Sequence, residues 1–531
     1  MNSVLRIASR KSDLARLQAY EVGRAILRAH PEVRIEYRFS SSLGDANLND
    51  PLWKMPEKGV FTADLSEKLA LGECDLVVHS WKDLPTEVNP RTEIVATRPR
   101  ADVRDVVLVK RDHLMRHSDA KLRAGGPRGA VEPRPFQVFS SSPRREYNIR
   151  DFLQWSLPTR QQIIFSPVRG NVATRAQKYC ENQKVSAWVV AKAALDRLLS
   201  SQDVANASPA EFATSRAILR KALSISKFQV LPVSQAPTAP AQGALAVEIA
   251  RDREDMRSLL QAINDQATWF DVCAEREIFQ RYGGGCHQKI GITYETRPYG
   301  QIQNGRGQGV GQKSFWFTRL VQDRSQFQIP KTTREHIYPL ETGANNFVSG
   351  RRLIQFDRSE LKDRDLFVAR ADAWPENFGE GFLDSDCIAW ASGIKTWRKL
   401  AARGIWVSGC QDGRGETEPM ALEHILGRLP QFTKLTHREG DTGSSEREGM
   451  PIVATYELVD APESDLPDLT GKTHFYWSSF SQFERADRHF HDVLQKGYHS
   501  CGPGSTYERL RNVTSRVSVY LSHESWLQDV L

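Results

Sequence analysis

Two periods alternate in the spacing of apolar positions through the first 250 residues. "VLRIAS" is a short, largely apolar run with strand character. It leads into "KSDLARLQAYEVGRAILRAH", whose Leu14, Leu17, Val22, Ile26 and Leu27 approximate one helical face. "RIEYRFSS" then reads as a strand, "GVFTADLSEKLALGE" as a helix and "CDLVVHS" as a short buried strand. "FQVFSSS", "QIIFSPVRG" and "VSAWVVA" repeat the pattern and predict a second α/β lobe. Strands alternating with helices imply parallel sheets covered by helices, with ligands bound where loops gather at the strands' carboxyl ends. Those ends read "ASRKS", "VVHSWKDLP", "FSSSPRR" and "SPVRGN". Solvated loops alone do not account for so much Ser, Arg, Lys and Asp at four strand ends, and a shared anion-binding cleft is expected.

The pattern then breaks. Between Leu199 and Ala241 a stretch with several Ser, Ala and Pro residues reads as a linker or surface insertion, followed by a strand returning to the first lobe. Residues 300–314, "GQIQNGRGQGVGQKS", predict a hairpin or a loose loop. The expected boundary is "LIQFDRSELKDRD", at about 353–365, and "EGDTGSSEREGM" is a second connector further on. No strict tandem repeat is present.

Composition narrows the class. A chain of 531 residues is too long for one ordinary core, and roughly three or four domains are expected. The 40% hydrophobic and 26% charged content is that of a globular protein. Its apolar runs are too short to span a bilayer, and "MNSVLRIASRKSD" lacks the apolar core of a secretory signal. Seven cysteines, at 74, 180, 273, 286, 387, 410 and 501, form neither a CxxC pair nor a zinc-spaced cluster. A cytoplasmic, reduced chain without a structural metal is expected. From Leu353 onward there are 20 Lys+Arg against 28 Asp+Glu, a net of −8; the whole-chain +7 leaves +15 for residues 1–352. Such a shift predicts two units with different partners. The basic residues of the first unit sit singly or in pairs beside Ser, Gly and Asn. That suits carboxylates or phosphates held one at a time rather than nucleic acid.

"RYGGGCHQKIG" sets Cys286 directly after three glycines. Glycine permits positive φ and close backbone approach, which suits something bulky near the sulfur; a turn with an incidental thiol is the competing reading.

Taken in order, "ASRKSDLAR", "EKGVFTADLSEKL", "DLVVHSWKDLPT", "FSSSPRR", "VRGNVATR", "AQGALAVE" and "GGGC" resemble hydroxymethylbilane synthase, also called porphobilinogen deaminase, over about residues 4–295. The resemblance implies condensation of four porphobilinogen units, with loss of ammonia, on a dipyrromethane primer held by a thioether to Cys286. It further implies that Arg10, Ser12, Lys82, Ser142, Arg144, Arg145, Arg169 and Arg175 line the cleft. Gly170, Asn171 and Gln242 join them, Lys58 lies in a mobile loop, and Asp83 matches the family's catalytic aspartate. Of these, Cys286, Lys82, Asp83, Ser142, Arg144, Arg145, Arg169 and Gly170 would hold the primer. Arg10, Ser12, Lys58, Arg169, Asn171, Arg175 and Gln242 would hold substrate. Arginine forks suit the two carboxylates of each porphobilinogen. The sequence departs from the family pattern at Pro143, at Ala241 where glycine is usual, at Ala193–Leu195 and at Lys289.

"MPIVATYELVDAP", "HFYWSSFSQFERADRHF" and "HSCGPGSTYERLRN" are similar to the closing half of uroporphyrinogen-III synthase. That likeness implies assistance to water loss by Tyr456 and carboxylate binding by Ser478, Ser479, Ser505 and Thr506. The expected architecture is α/β throughout. It has a first lobe at about 1–98 plus 243–262, a second at about 104–241 and a small α+β domain carrying Cys286 at about 265–352. A two-lobed uroporphyrinogen-III synthase-like unit follows at 363–531. The expected ligands are porphobilinogen and hydroxymethylbilane, with no nucleic acid, membrane or metal; the next tetrapyrrole-pathway enzyme is a further candidate partner. Two rival readings are a C-terminal unit that only docks partners and a two-lobed anion-binding protein without chemistry.

Overall fold

The computed structural model describes residues 4–41, 63–87, 89–115, 135–158, 161–200, 210–283, 288–309, 311–322, 328–341, 347–376, 378, 386–416, 418–438 and 450–531. Lys58, Cys286 and residues 439–449 of the second connector lie outside them. The fold is mixed α/β, with its strands in five sheets.

The first sheet uses β1 (Val4–Arg10), β2 (Arg34–Ser40), β3 (Leu76–Ser80) and β4 (Thr92–Ala96). The second uses β5 (Asp105–Lys110), β6 (Phe136–Phe139), β7 (Ile163–Ser166), β8 (Ala187–Ala191) and β9 (Ser226–Val230). The chain then returns to the first sheet as β10 (Leu245–Ala250), inserted antiparallel between β3 and β4. β1 runs parallel to β2 and β3, and β6 runs parallel to β7 and β8. β5 opposes both of its neighbours, so each sheet is mixed rather than purely parallel. Val22 and Ile26 of the helix Asp13–Ala29 are buried against the first sheet and Leu17 in the core shared with the second lobe, while Leu14 and Leu27 at the edges of that stripe are half-covered.

The described part of the 199–241 stretch, from residue 210 onward, is no surface insertion. It contains the helix Ala213–Ser224 and β9, and Leu231, Val233, Ala236, Thr238 and Ala241 are all buried. Proline and alanine there build a covered crossing between the lobes, a use of those residues that composition does not separate from a linker. The outgoing crossing, 97–104, lies against the returning one. Ala101 N–H donates to Gly243 O at 3.3 Å, and a Cβ on Gly243 would come within 2.4 Å of Ala101 O.

A three-stranded antiparallel sheet follows, of β11 (Gly291–Arg297), β12 (Gly300–Gln308) and β13 (Ser314–Val321), with the helix Gln266–Arg281 before it. The Gly/Gln-rich 300–308 segment is the central strand, and with β13 it forms the hairpin expected there rather than a loose loop. The boundary also shifts. β14 (Ile337–Tyr338) pairs with β21 (His474–Trp477), and β15 (Val348–Leu353) with β20 (Ile452–Asp460). Residues from 337 onward therefore belong to C-terminal sheets, upstream of the expected 352/363 division. β-pairing across more than 100 residues leaves no local trace in the sequence.

β14 and β21 continue in parallel through β22 (Tyr498–Cys501) to β23 (Val517–Val519). The six-stranded sheet runs β15–β20–β19–β16–β17–β18, with β16 (Asp365–Val368), β17 (Ala389–Ala391), β18 (Gly409–Cys410) and β19 (Phe432–His437). One apolar core joins this sheet to the second lobe: Phe152 and Trp155 meet Trp397 edge-on, with centroids 5.1 and 6.0 Å apart. Burial of an aromatic such as Phe152 contributes about 1.5–3 kcal/mol.

Candidate active site

Local chemistry places the site at the ends of parallel strands. Arg10 ends β1, with Ser12 as N-cap of the following helix. Beyond β3 the chain makes a single 3-10 turn, Trp81–Asp83, whose Trp81 N–H donates to Ala244 O at 3.1 Å. This bond pins Lys82 and Asp83 to the returning crossing. After β6, Ser142 caps the helix Pro143–Ser156, and Pro143 occupies its first turn, where a missing N–H costs nothing. The departure at Pro143 is therefore a good helix start. After β7 the chain turns at Gly170, with φ +114; a Cβ there would meet Thr174 at 2.7 Å. Asn171 then caps the helix Val172–Glu181 through Thr174 N–H at 2.8 Å.

Asp105 organises the cationic wall. It opens β5 fully buried and accepts from Arg144 (2.9 Å), Arg145 (2.8 Å) and Gln242 Nε2 (2.9 Å). Gln242 in turn accepts from Lys82 Nζ at 3.2 Å through Oε1. The two guanidiniums hold the Asp105 carboxyl far below the usual carboxylate range, against its burial. Sequence reading missed this residue, although "VRDVVLVK" did signal it as an acid at the mouth of an apolar strand.

Arg175 reads out the convergence. Burial pushes its guanidinium down to about 10; Arg145, Arg169 and Arg10 push the same way, and Asp83 opposes them. Its Nε donates to Gly170 O at 2.7 Å. Burial likewise pushes the Lys82 ammonium down to about 8, opposed by Asp83 and Asp105 and reinforced by Arg145 and Arg144. Residues from four strand ends and the returning crossing thus share one electropositive site with, among the described residues, a single exposed carboxylate, Asp83.

A cavity of about 350 Å³ lies elsewhere, between the two crossings, β11 and the loop after β18. Arg100, Arg104, Arg297 and Arg414 face Asp102, Asp271, Glu295, Asp412 and Glu418 there. With charges so nearly balanced, it does not suit a polyanion.

The C-terminal residues divide between sheets. Tyr456 is buried in β20, its ring stacked on His437 at 5.8 Å and covered by Arg351 at 5.7 Å. Burial raises its phenol, and Arg370 and Arg351 oppose the shift. Ser478 and Ser479 follow β21 in the other sheet, where Ser478 Oγ donates to Gln482 Oε1 at 2.8 Å and Ser479 meets Ser481 at 3.1 Å. Ser505 and Thr506 begin the helix after β22, behind Gly504, at which a Cβ would come within 2.6 Å of Gly415 Cα. That approach brings Ser505 and Thr506 to the loop after β18. Among the described residues no cluster of His, Cys, Asp and Glu could hold a metal, and no helix is long and apolar enough to cross a membrane.

The chain is similar to known proteins. The family model described as "Porphobilinogen deaminase, dipyromethane cofactor binding domain" matches residues 5–258. Porphobilinogen deaminase of Natranaerobius thermophilus is 29% identical over 352 residues, covering 65% of this chain and 98% of that protein. The probable porphobilinogen deaminase of Methanopyrus kandleri is 31% identical over 299 residues, covering 56% and 85%. Porphobilinogen deaminase of Acidothermus cellulolyticus is 34% identical over 302 residues, covering 55% and 77%.

Proposed function

The chain belongs to the porphobilinogen deaminase family, and from that premise we propose that it builds hydroxymethylbilane from four porphobilinogens on a dipyrromethane primer attached to Cys286. The observation that carries this reading is the bonded cationic wall in which Asp105 holds Arg144, Arg145 and Gln242, and Gln242 holds Lys82 next to Asp83.

The residues fit a polycarboxylate primer. Burial, reinforced by the neighbouring arginines, depresses Arg175 to about 10 and Lys82 to about 8, and carboxylates entering the cleft would offset both. Lys82, Ser142, Arg144, Arg145, Arg169 and Gly170 would hold the primer; Arg10, Ser12, Asn171, Arg175 and Gln242 would hold incoming substrate, together with Lys58, which lies outside the described residues. When bound, the dipyrromethane supplies the nucleophilic pyrrole from which the product grows. Asp105 keeps Arg144 and Arg145 in place, so their forks are oriented before substrate arrives. Asp83 faces the cation left by loss of ammonia, stabilises it and accepts the proton released on condensation.

For the C-terminal unit the reading is closure of hydroxymethylbilane to uroporphyrinogen III. Tyr456 would assist water loss, and Ser478, Ser479, Ser505 and Thr506 would hold carboxylates. The bonds of the loop after β18 to Ser234 and Glu295 favour a second reading, in which the unit serves the deaminase structurally.

Intact mass tests the first activity. The purified full chain should exceed its sequence mass by one dipyrromethane, and Cys286→Ala should lose both adduct and porphobilinogen consumption. An active protein without the adduct contradicts the assignment. Oxidised product from the full chain should be mainly type III; type I product alone removes the synthase reading.

A further inference from the structure

One loop of the C-terminal unit touches two separate parts of the deaminase unit. Before β18, Trp406 Nε1 donates to Phe228 O at 3.2 Å, and Ser408 O accepts from Val230 N–H at 2.8 Å. β9 and β18 are each the last strand of their sheets, so this contact covers two edges that would otherwise present unpaired backbone. After β18 the chain turns at Asp412, with φ +55, and its carboxylate accepts from both the backbone N–H, at 3.0 Å, and the hydroxyl of Ser234. Those partners all belong to the second lobe or the crossing that leaves it.

The same loop then reaches the small domain. Arg414 pairs with Glu295 on β11, and its other terminal nitrogen lies 3.6 Å from Asp412. Glu418 takes both Nε (2.5 Å) and a terminal nitrogen (3.0 Å) of Arg297, also on β11. Arg414 is buried, and Glu295 pairs with both arginines. Buried pairs of this kind are intolerant of losing one member, because the charge left behind has no water to turn to. β11 begins at Gly291, a few positions after the "GGGC" stretch in the sequence. The helix before that stretch is fastened as well: Glu275 accepts from Arg100 (2.8 Å), Ala241 N–H (2.6 Å) and Tyr294 N–H (2.7 Å).

Building on the deaminase reading, we propose that residues 406–418 of the C-terminal unit are a positioning element for the first reaction. The loop holds the cysteine-bearing small domain in register with the second lobe, so deaminase turnover depends on side chains outside its own cleft. Arg414 and Glu418 are its positioning residues.

The test uses the full chain, with Arg414→Gln, Glu295→Gln and the double variant, Arg414→Lys as the conservative rescue, and Glu418→Gln as an independent cut. Hydrogen exchange should rise roughly tenfold or more at 291–297 in each single Gln variant while β1 of the first lobe stays protected. In the same variants kcat for porphobilinogen consumption should fall roughly tenfold with KM within about twofold, and the primer mass should be retained. The double variant should lose no more than either single, and Arg414→Lys should recover part of kcat. Unchanged exchange at 291–297 overturns the clamp, whatever the activity. Exchange that rises there without loss of kcat overturns its link to turnover, and exchange that rises equally in the first lobe reduces it to general destabilisation. A wild-type chain with no deaminase activity defeats the reading above but leaves the exchange result decisive for the clamp.

Discussion

The first two lobes and the C-terminal unit use similar α/β layers to different ends. In the lobes, polar residues from four strand ends meet around Arg175, and buried Asp105 fixes two of the arginines. In the C-terminal unit, Tyr456 lies in one sheet and the serines follow strands of another, while Arg414 and Glu418 grip the deaminase. A cleft that must bind many carboxylates needs fixed, convergent cations. A hydroxyl-lined surface can be assembled across sheets, and its convergence is set by how those sheets pack.

The severest break of this comparison is Asp105→Asn. Removing the carboxylate strands two buried guanidiniums, and a loss of about 3–5 kcal/mol in stability is expected by denaturant unfolding. A much smaller loss would mean that Arg144 and Arg145 find other anchors. Asp83→Asn comes next: Asp83 is exposed and accepts none of those bonds, so folding and primer should survive while kcat falls about 10²–10³-fold. Turnover near normal would reassign Asp83 to a structural turn.

Tyr456→Phe sharpens the other side of the comparison. If the phenol assists ring closure, the ratio of type III to type I product should fall about tenfold, the worth of one good hydrogen bond. An unchanged ratio would leave Tyr456 as a packing residue of β20. Lys82 supplies a pH test. Its folded value, depressed to about 8, means the amine is cationic below that pH and neutral above it. Affinity for the polycarboxylate substrate should therefore weaken as pH rises through about 8, and Lys82→Arg should remove that limb from a binding titration. A limb that persists in the arginine variant belongs to another group.

The smallest effect is expected at Ala241. It is buried at φ +63, a conformation costing an L-residue about 1–2 kcal/mol, and its N–H is held by Glu275. Ala241→Gly should raise stability by about 1 kcal/mol, visible as a higher thermal midpoint. A lower midpoint would mean that flexibility in the unfolded chain outweighs the relief.

Much of the cleft was legible in the residues alone because its signals are local. A strand period ending in "SSSPRR" or "VRGN" carries cap, turn and cation within a few positions, and Ser142, Gly170 and Asn171 take those roles. The alternation of periods likewise separated the two lobes. Other features rest on partners far apart in the chain. Asp105 meets arginines about 40 positions away and Gln242 137 positions away. The 199–241 segment resembled a linker because proline and alanine serve a buried crossing as well as an exposed one. β14 joined the C-terminal sheets through a partner strand more than 130 residues downstream. The 406–418 loop carries no motif of its own, and its contacts with Ser234, Glu295 and Arg297 exist only because two sheet edges meet. Short-range hydrogen bonds and side-chain periodicity are written residue by residue. Which distant carboxylate neutralises which arginine, and which edge covers which, follow from how the sheets pack, and that was decided by the tertiary structure.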